Sequence, residues 1–145
     1  MFRSHMQIHA SCAARHGAGV LLMGPPGAGK SDLLLRLLEL DFELVADDRV
    51  DIDDGIARPP AALAGLLELR GLGIFRMPHR SQARLALVVR LGPPAARLPE
   101  PELDAELGLP LVHIDPASAS APARIGLALD CAIGRVVQHC GAFAA

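Results

Sequence analysis

The sequence predicts one α/β domain with a mixed β-sheet, hairpins and flanking helices, and three observations support this class. The chain has 145 residues, the length of one domain. Its hydrophobic content of 51% and charged content of 21% are typical of a folded globular protein. An apolar run at residues 19–23 leads through a glycine-rich loop into a leucine-patterned helix. We therefore expect a single domain over residues 1–145, organised around this strand, loop and helix.

The strands before the loop are expected to form a hairpin. Residues 7–13 have the composition of a first strand, and residues 15–18 that of a turn into the strand 19–23. His9 lies on the first of these strands. A lone histidine on a strand is more often packed or hydrogen-bonded than catalytic, so this pattern alone gives His9 no chemical role.

The loop from Gly24 to Ser31 matches the phosphate-loop pattern of glycine, four residues, glycine, lysine and serine. Backbone N–H groups in such a nest, together with a helix N-terminus, bind the charges of a nucleoside triphosphate. Lys30 is expected to reach the β and γ phosphates, and the Ser31 hydroxyl to bind Mg²⁺. The chain has thirteen arginines, whereas Lys30 is its only lysine. The residues predicted to bind the nucleotide are Gly24, Gly27, Ala28, Gly29, Lys30, Ser31 and Asp32.

Two acidic residues after the loop helix are predicted to take part in chemistry. The helix covers residues 32–40, and an apolar strand at 42–46, expected to lie beside the phosphate-loop strand, ends at Asp47 and Asp48. An acid at such a strand end binds Mg²⁺ or accepts the proton of an attacking hydroxyl. Residues 49–52 and the turn at 53–55 predict a second hairpin, whose aspartates need no function.

The second half of the chain gives weaker signals. Residues 61–67 predict a short helix or turn, and residues 68–75 are neither clean helix nor clean strand. Within that stretch, Glu68 is a carboxylate among apolar residues, so we expect a partner, either Arg70 or a metal ion. Residues 83–91 predict a strand, 92–110 a surface loop and 109–114 another strand. A closing helix is expected over 122–137, with Arg124 and Asp130 facing outward.

Composition argues against several classes of partner. The formal net charge is −2 and the chain has no tyrosine or tryptophan, so we expect no binding to nucleic acid. No apolar window has the length of a membrane span, and the N-terminal residues lack the pattern of an export signal. Three scattered cysteines without metal-ligand spacing are typical of reduced thiols. The expected location is the cytoplasm.

Four segments together suggest a family. His9, the loop from Gly24 to Ser31, the segment 44–48 and the segment from Glu68 to Ile74, in that order, resemble the C-terminal catalytic domain of HPr kinase/phosphorylase. The resemblance extends to about Leu91 and is thin afterwards. It implies a P-loop kinase fold of the HPr kinase/PEP carboxykinase type. It also implies an ATP- and Mg²⁺-dependent serine kinase that acts on HPr, the phosphocarrier protein of the phosphotransferase system.

The resemblance also implies a role for each matching residue. Lys30 corresponds to the phosphate-binding lysine, and Ser31, Glu68 and Asp47 to groups that position Mg²⁺. Asp48 corresponds to the base that takes the proton of the acceptor serine, supported by Asp47. His9 corresponds to the active-site histidine of the family. The family forms hexamers, so a homo-oligomer is expected.

Departures from the family pattern leave alternatives open. The chain lacks room for the family's N-terminal domain and resembles the short forms of alphaproteobacteria. Glu106 stands where the family has a basic catalytic residue, and the segment linked to phosphorolysis is reduced to residues 122–124 at most. The reverse, dephosphorylating reaction is therefore not expected. The alternatives are a nucleotide-sensing module without turnover and a small-molecule kinase.

Overall fold

The computed structural model describes residues 5–94 and 96–144. Within these residues the chain forms ten strands and two α-helices, with a 3-10 turn at Ala61–Leu63. In chain order they are β1 (His5–Ile8), β2 (Ser11–Arg15), β3 (Ala18–Met23), α1 (Lys30–Leu38), β4 (Glu43–Ala46), β5 (Val50–Asp53), β6 (Ile56–Arg58), β7 (Leu66–Leu69), β8 (Gly73–Arg76), β9 (Ala83–Leu91), β10 (Leu111–Ile114) and α2 (Ala121–Ala132).

Eight of these strands form one mixed sheet in the order β1-β5-β6-β9-β3-β2-β4, with β10 also paired to β9. The pairs β3–β9 and β9–β10 are parallel, and the remaining pairs of this sheet are antiparallel. β7 and β8 pair only with each other, as a separate two-stranded ribbon. The phosphate-loop strand β3 thus lies inside the sheet, between β9 and β2.

The sheet packs on both faces. On one face, α1 packs against β2 and β4 and α2 packs against β9 and β10, and the fully buried leucines of the two helices include Leu33, Leu37 and Leu129. A second apolar cluster, which includes Leu21 and Ile52, fills the other face. In the described part of the chain, no helix has the length and hydropathy needed to span a membrane.

The predicted fold class and both predicted hairpins are confirmed. The first hairpin is β2–β3, in which Ser11 pairs with Leu22, and the second is β5–β6, which turns at residues 54–55. The strand predicted at residues 83–91 is β9 without change. α1 begins at Lys30, two residues earlier than predicted.

Two local predictions in the first half of the chain were wrong. Residues 7–13 form no continuous strand, because β1 pairs with β5 while β2 pairs with β3 and β4, and the chain bends at His9 between them. β4 lies beside β2 and not beside β3, because the hairpin places β2 on that side of β3. Residues 68–75, for which the sequence indicated neither helix nor strand, lie in the β7–β8 ribbon. The alternation of apolar and polar residues that is typical of a strand is not visible there, because both strands carry apolar residues.

The closing helix also differs from its prediction. α2 ends at Ala132 and not at residue 137, with Gly134 soon after in a left-handed conformation (φ 80°). Asp130 does not face outward, since its side chain is 23% exposed and lies 3.4 Å from the Arg15 guanidinium. Arg124 is exposed, as expected. A packed partner on β2, invisible in the helix's own sequence, therefore decides the orientation of Asp130.

Candidate active site

The phosphate loop presents backbone donors at the start of α1. Gly27 and Gly29 have left-handed backbone angles, with φ of 81° and 98°. Gly29 is the N-cap of α1 and provides no side-chain cap hydrogen bond to the first turn. Because uncapped N–H groups and the helix dipole favour negative charge, the geometry of this loop suits a phosphate group.

The Lys30 side chain folds back over the loop. Its ammonium group donates to the carbonyl oxygens of Gly24 at 2.7 Å and Pro25 at 3.1 Å. Only 7% of the residue is exposed. The charge is thus held by neutral acceptors of the loop itself, and among residues 5–94 and 96–144 it forms no ion pair within 4 Å.

Asp47 links the loop helix to the end of β4. Its carboxylate accepts hydrogen bonds from the Ser31 hydroxyl at 2.9 and 3.0 Å and from the Ser11 hydroxyl at 2.8 Å. The backbone N–H of Glu68 donates to the same carboxylate at 3.5 Å. Asp47 is 6% exposed, so these donors compensate the cost of burying its charge. Three separate elements, β2, α1 and β7, are thereby fixed around one acid.

Asp48 lies next to Asp47 but in a more open position. Its side chain is 61% exposed, and one carboxylate oxygen lies 3.4 Å from Nδ1 of His9. The backbone of Asp48 is left-handed, with φ of 73°. Left-handed angles are strained for most residues other than glycine, and such strain is often found at functional sites. The angle directs Asp48 away from the line of β4.

These groups line one cavity of about 570 Å³. Of the residues predicted from sequence, all but Gly24 and Ala28 line it, namely His9, Gly27, Gly29, Lys30, Ser31, Asp32, Asp47, Asp48 and Glu68. Gly24 contributes its carbonyl to Lys30, and Ala28 packs against the apolar core. The structure thus brings together residues from four separate stretches of the chain.

The residues of this cavity that sequence reasoning did not name as site residues include Ser11, Pro26, Leu35, Leu69 and Leu72. Ser11 is fully buried and bonds to Asp47, and its hydroxyl within an apolar strand was the available signal. Leu69 and Leu72 come from the ribbon that the sequence pattern concealed. Arg70, which had been considered as a partner of Glu68, also lines the cavity.

Glu68 differs from its prediction. It is exposed and not buried, and it forms no ion pair within 4 Å among the residues that the structure describes. The expected pair with Arg70 is therefore absent in this part of the chain. Glu68 escapes the cost of burial because β7 presents it to the open side of the cavity.

The donor set fits Mg²⁺. Residues 5–94 and 96–144 contain no cluster of three or more His, Cys, Asp or Glu side chains arranged to hold a metal ion. Magnesium in nucleotide sites needs fewer protein ligands, since it takes one or two carboxylates, keeps waters and binds substrate phosphates. The Ser31 hydroxyl and the Asp47 carboxylate, 2.9 Å apart beside the loop, are the pair that phosphate-loop enzymes use.

Glu106 does not line this cavity. It belongs to a turn in which the Asp104 carboxylate accepts the backbone N–H groups of Glu106 at 3.1 Å and Leu107 at 2.9 Å. A second cleft of about 860 Å³ lies elsewhere, between residues 94 and 96–102, β10, α2 and the C-terminal segment 136–143. Its lining is mainly apolar.

Comparisons with known proteins agree on one family. Residues 1–91 match the family model described as the HPr Serine kinase C-terminal domain. HPr kinase/phosphorylase 1 of Oceanobacillus iheyensis is 37% identical over 102 residues, which cover 62% of this chain and 33% of that protein. The match thus spans about a third of that relative's length.

A solved structure supports the fold. The Hpr(Ser) kinase/phosphatase from Coxiella burnetii aligns with a TM-score of 0.69 and 24% identity. The alignment covers 84% of this chain and 87% of that one. At this identity the likeness shows the shared fold.

Proposed function

The chain belongs to the HPr serine kinase C-terminal domain family, and from this premise we propose that it transfers the γ-phosphoryl group of ATP to a serine of an HPr-type phosphocarrier protein. The observation that carries the proposal is the Ser31–Asp47 hydrogen bond at 2.9 Å, with Asp48 adjacent and the phosphate loop in the same cavity. The Ser31–Asp47 contact places the residues suited to bind metal and phosphate next to Asp48, the residue suited to accept a proton.

Binding and orientation of the nucleotide are assigned to the loop. The N–H groups from Gly27 onward and the open N-terminus of α1 would hold the phosphates. Lys30 would exchange its carbonyl partners for phosphate oxygens. Ser31 and Asp47, with Glu68 at the cavity edge, would hold Mg²⁺. When bound, this ion neutralises charge on the β and γ phosphates.

Asp48 is assigned as the base. A serine hydroxyl is a weak nucleophile, and its proton must leave as the bond to phosphorus forms. Asp48 is exposed to the cavity, whereas Asp47 is buried and its carboxylate already accepts hydrogen bonds from three protein donors. His9, 3.4 Å from Asp48, is a positioning residue that would hold this carboxylate toward the incoming alcohol. The reverse reaction is not part of the proposal.

The test is transfer from labelled ATP with Mg²⁺ to the HPr-type carrier of the same organism, with the modified serine identified by mass spectrometry. Asp48→Asn should lower the transfer rate about 100- to 10,000-fold, because it removes a general base. The affinity for ATP should stay nearly unchanged, since the loop is intact. Asparagine tolerates left-handed angles, so the backbone at this position is preserved.

Asp54→Asn is the matched control. Asp54 is also an exposed aspartate with a left-handed backbone (φ 49°), but it lies in the β5–β6 turn, outside the cavity. This variant should transfer phosphate at the wild-type rate. Normal transfer by Asp48→Asn would contradict the assignment of the base. An unlabelled carrier in the presence of bound ATP would instead favour the nucleotide-sensing alternative.

A further inference from the structure

The β7–β8 ribbon stands apart from the main sheet beside the phosphate cavity. Every residue of β8 is exposed. An isolated two-stranded ribbon is marginally stable in water, so it needs packing against the rest of the chain. Leu67, fully buried, together with Leu69 and Met77, provides that packing on one side. The opposite side of the ribbon is largely open to solvent, since Glu68, Ile74 and Arg76 are all exposed.

The register defines this outer face. Glu68 lies opposite Ile74, and Leu66 lies opposite Arg76. Directly opposed residues of an antiparallel pair project to the same side, so these four residues share one face. We call Leu66, Glu68, Ile74 and Arg76 the outer ribbon face. Because Glu68 lines the phosphate cavity, the outer ribbon face continues directly from the cavity mouth.

The outer ribbon face carries exposed apolar side chains and a cation beyond the groups that bind a nucleotide. Ile74 is 67% exposed, and Leu72, in the turn of the ribbon, is 75% exposed and lines the cavity. Arg76 is exposed and makes no ion pair within 4 Å in the described chain. Exposed apolar side chains next to a cation are typical of protein interaction sites.

We propose that the outer ribbon face, with Leu72, docks the protein that accepts the phosphoryl group. Ile74 and Leu72 would contact apolar side chains that flank the acceptor serine, and Arg76 would contact a carboxylate of the same partner. Contact at this face would hold the serine over the cavity, because Glu68 belongs to both surfaces. The inference rests on the proposed function for the identity of the partner, and it adds where that partner binds.

The experiment measures binding of the HPr-type carrier by calorimetry, with Mg²⁺ and a non-hydrolysable ATP analogue present. Ile74→Ser should raise the dissociation constant for the carrier about tenfold, the effect of removing one contact of moderate importance. Val137→Ser is the matched control, since Val137 is a β-branched residue that is 93% exposed in the C-terminal segment. It should leave carrier binding unchanged. Both variants should bind the ATP analogue like the wild type.

A charge reversal gives a second measurement. Arg76→Glu should weaken carrier binding and reduce its dependence on salt, because the ion pair across the interface becomes a repulsion. Arg97→Glu, an exposed arginine far along the chain, is its control and should bind as the wild type does. Circular dichroism would verify that each variant is folded.

The outcomes separate this inference from the proposed function. If the carrier is phosphorylated but Ile74→Ser and Arg76→Glu bind it normally, the docking inference is overturned and the proposed function stands. If both ribbon variants lose binding while wild-type protein transfers no phosphate, the inference stands and the proposed function fails. No carrier binding by wild type, or an effect of Ile74→Ser on self-association alone in sedimentation, overturns the docking inference.

Discussion

The cavity at the phosphate loop has a volume of about 570 Å³, and the cleft beside α2 has about 860 Å³. The smaller cavity collects Lys30, the acids Asp47 and Asp48, and the open amide groups of a helix start. The larger cleft is lined by apolar side chains, and its pair His113–Glu102 is already joined at 3.1 Å. Convergent polar groups, and not volume, therefore distinguish the candidate active site.

Among the changes that test this comparison between the polar cavity and the apolar cleft, substitution of Ser31 should have the largest effect. Ser31→Ala removes the hydroxyl that lies between the loop helix and Asp47, so the concentration of Mg²⁺ needed for half-maximal transfer should rise about tenfold or more. Transfer measured against Mg²⁺ concentration tests this. Ser81→Ala, an exposed serine outside the cavity, should behave as wild type. An unchanged magnesium dependence of Ser31→Ala would exclude Ser31 from the metal site.

A change at the contact between β2 and α2 should affect stability and not chemistry. Arg15, which is 18% exposed, lies 4.6 Å above the Phe42 ring and donates to the Gly126 carbonyl of α2 at 2.9 Å. Arg15→Ala should lower the free energy of unfolding by about 2 kcal/mol, the loss of charged hydrogen bonds and packing. Denaturant titration measures this.

Arg124→Ala is the matched control, because Arg124 is exposed on the same helix that Arg15 holds. It should change stability little. Folded Arg15→Ala protein should transfer phosphate at the normal rate per molecule. Loss of phosphate transfer by folded Arg15→Ala protein would show that the contact of Arg15 with α2 also supports the chemistry of the polar cavity.

The smallest effects concern the thiols of the two regions. Burial raises the pKa of Cys12 on β2 to about 12, whereas Cys140 in the cleft is exposed. At pH 8 iodoacetamide should therefore modify Cys140 in the native protein and Cys12 only after unfolding. Rapid modification of native Cys12 would show that the sheet beneath the polar cavity opens readily.

The raised pKa also predicts a dependence of stability on pH. An unfolded cysteine ionises near pH 9 while folded Cys12 stays neutral to about pH 12, so the contribution is present below pH 9 and is lost as the pH rises toward 12. Between pH 8 and pH 10, the unfolding midpoint should fall more for the wild type than for Cys12→Ala. Cys140→Ala should show the wild-type slope.

The sequence was sufficient for features that depend on local pattern. The phosphate loop, β9 and both hairpins follow from glycine spacing, apolar runs and turn residues, and these predictions are confirmed. Most predicted site residues were also found together, because Lys30, Ser31, Asp47 and Asp48 lie close along the chain and flank one helix. The catalytic and metal-binding roles assigned to them stay predictions.

What could not be predicted depends on contacts between distant segments. The position of β4 beside β2 is set by sheet pairing, which the composition of β4 does not encode. Ser11 joins the site only through Asp47, 36 residues later. Asp130 lies 3.4 Å from the guanidinium of Arg15, 115 residues earlier in the chain. In each case the surroundings of a strand or a side chain depend on a partner that is distant in the sequence.

The hydrogen bonds between Lys30 and its own loop have a practical consequence. Lys30 carries the chain's sole side-chain amine, and its nitrogen is engaged by the carbonyls of Gly24 and Pro25. Acylating reagents thus meet a single lysine, located where the polyphosphate would sit. Acylation of Lys30, read as one mass increment on its peptide, should be slow in the native protein and slower still when a polyphosphate ligand covers the loop.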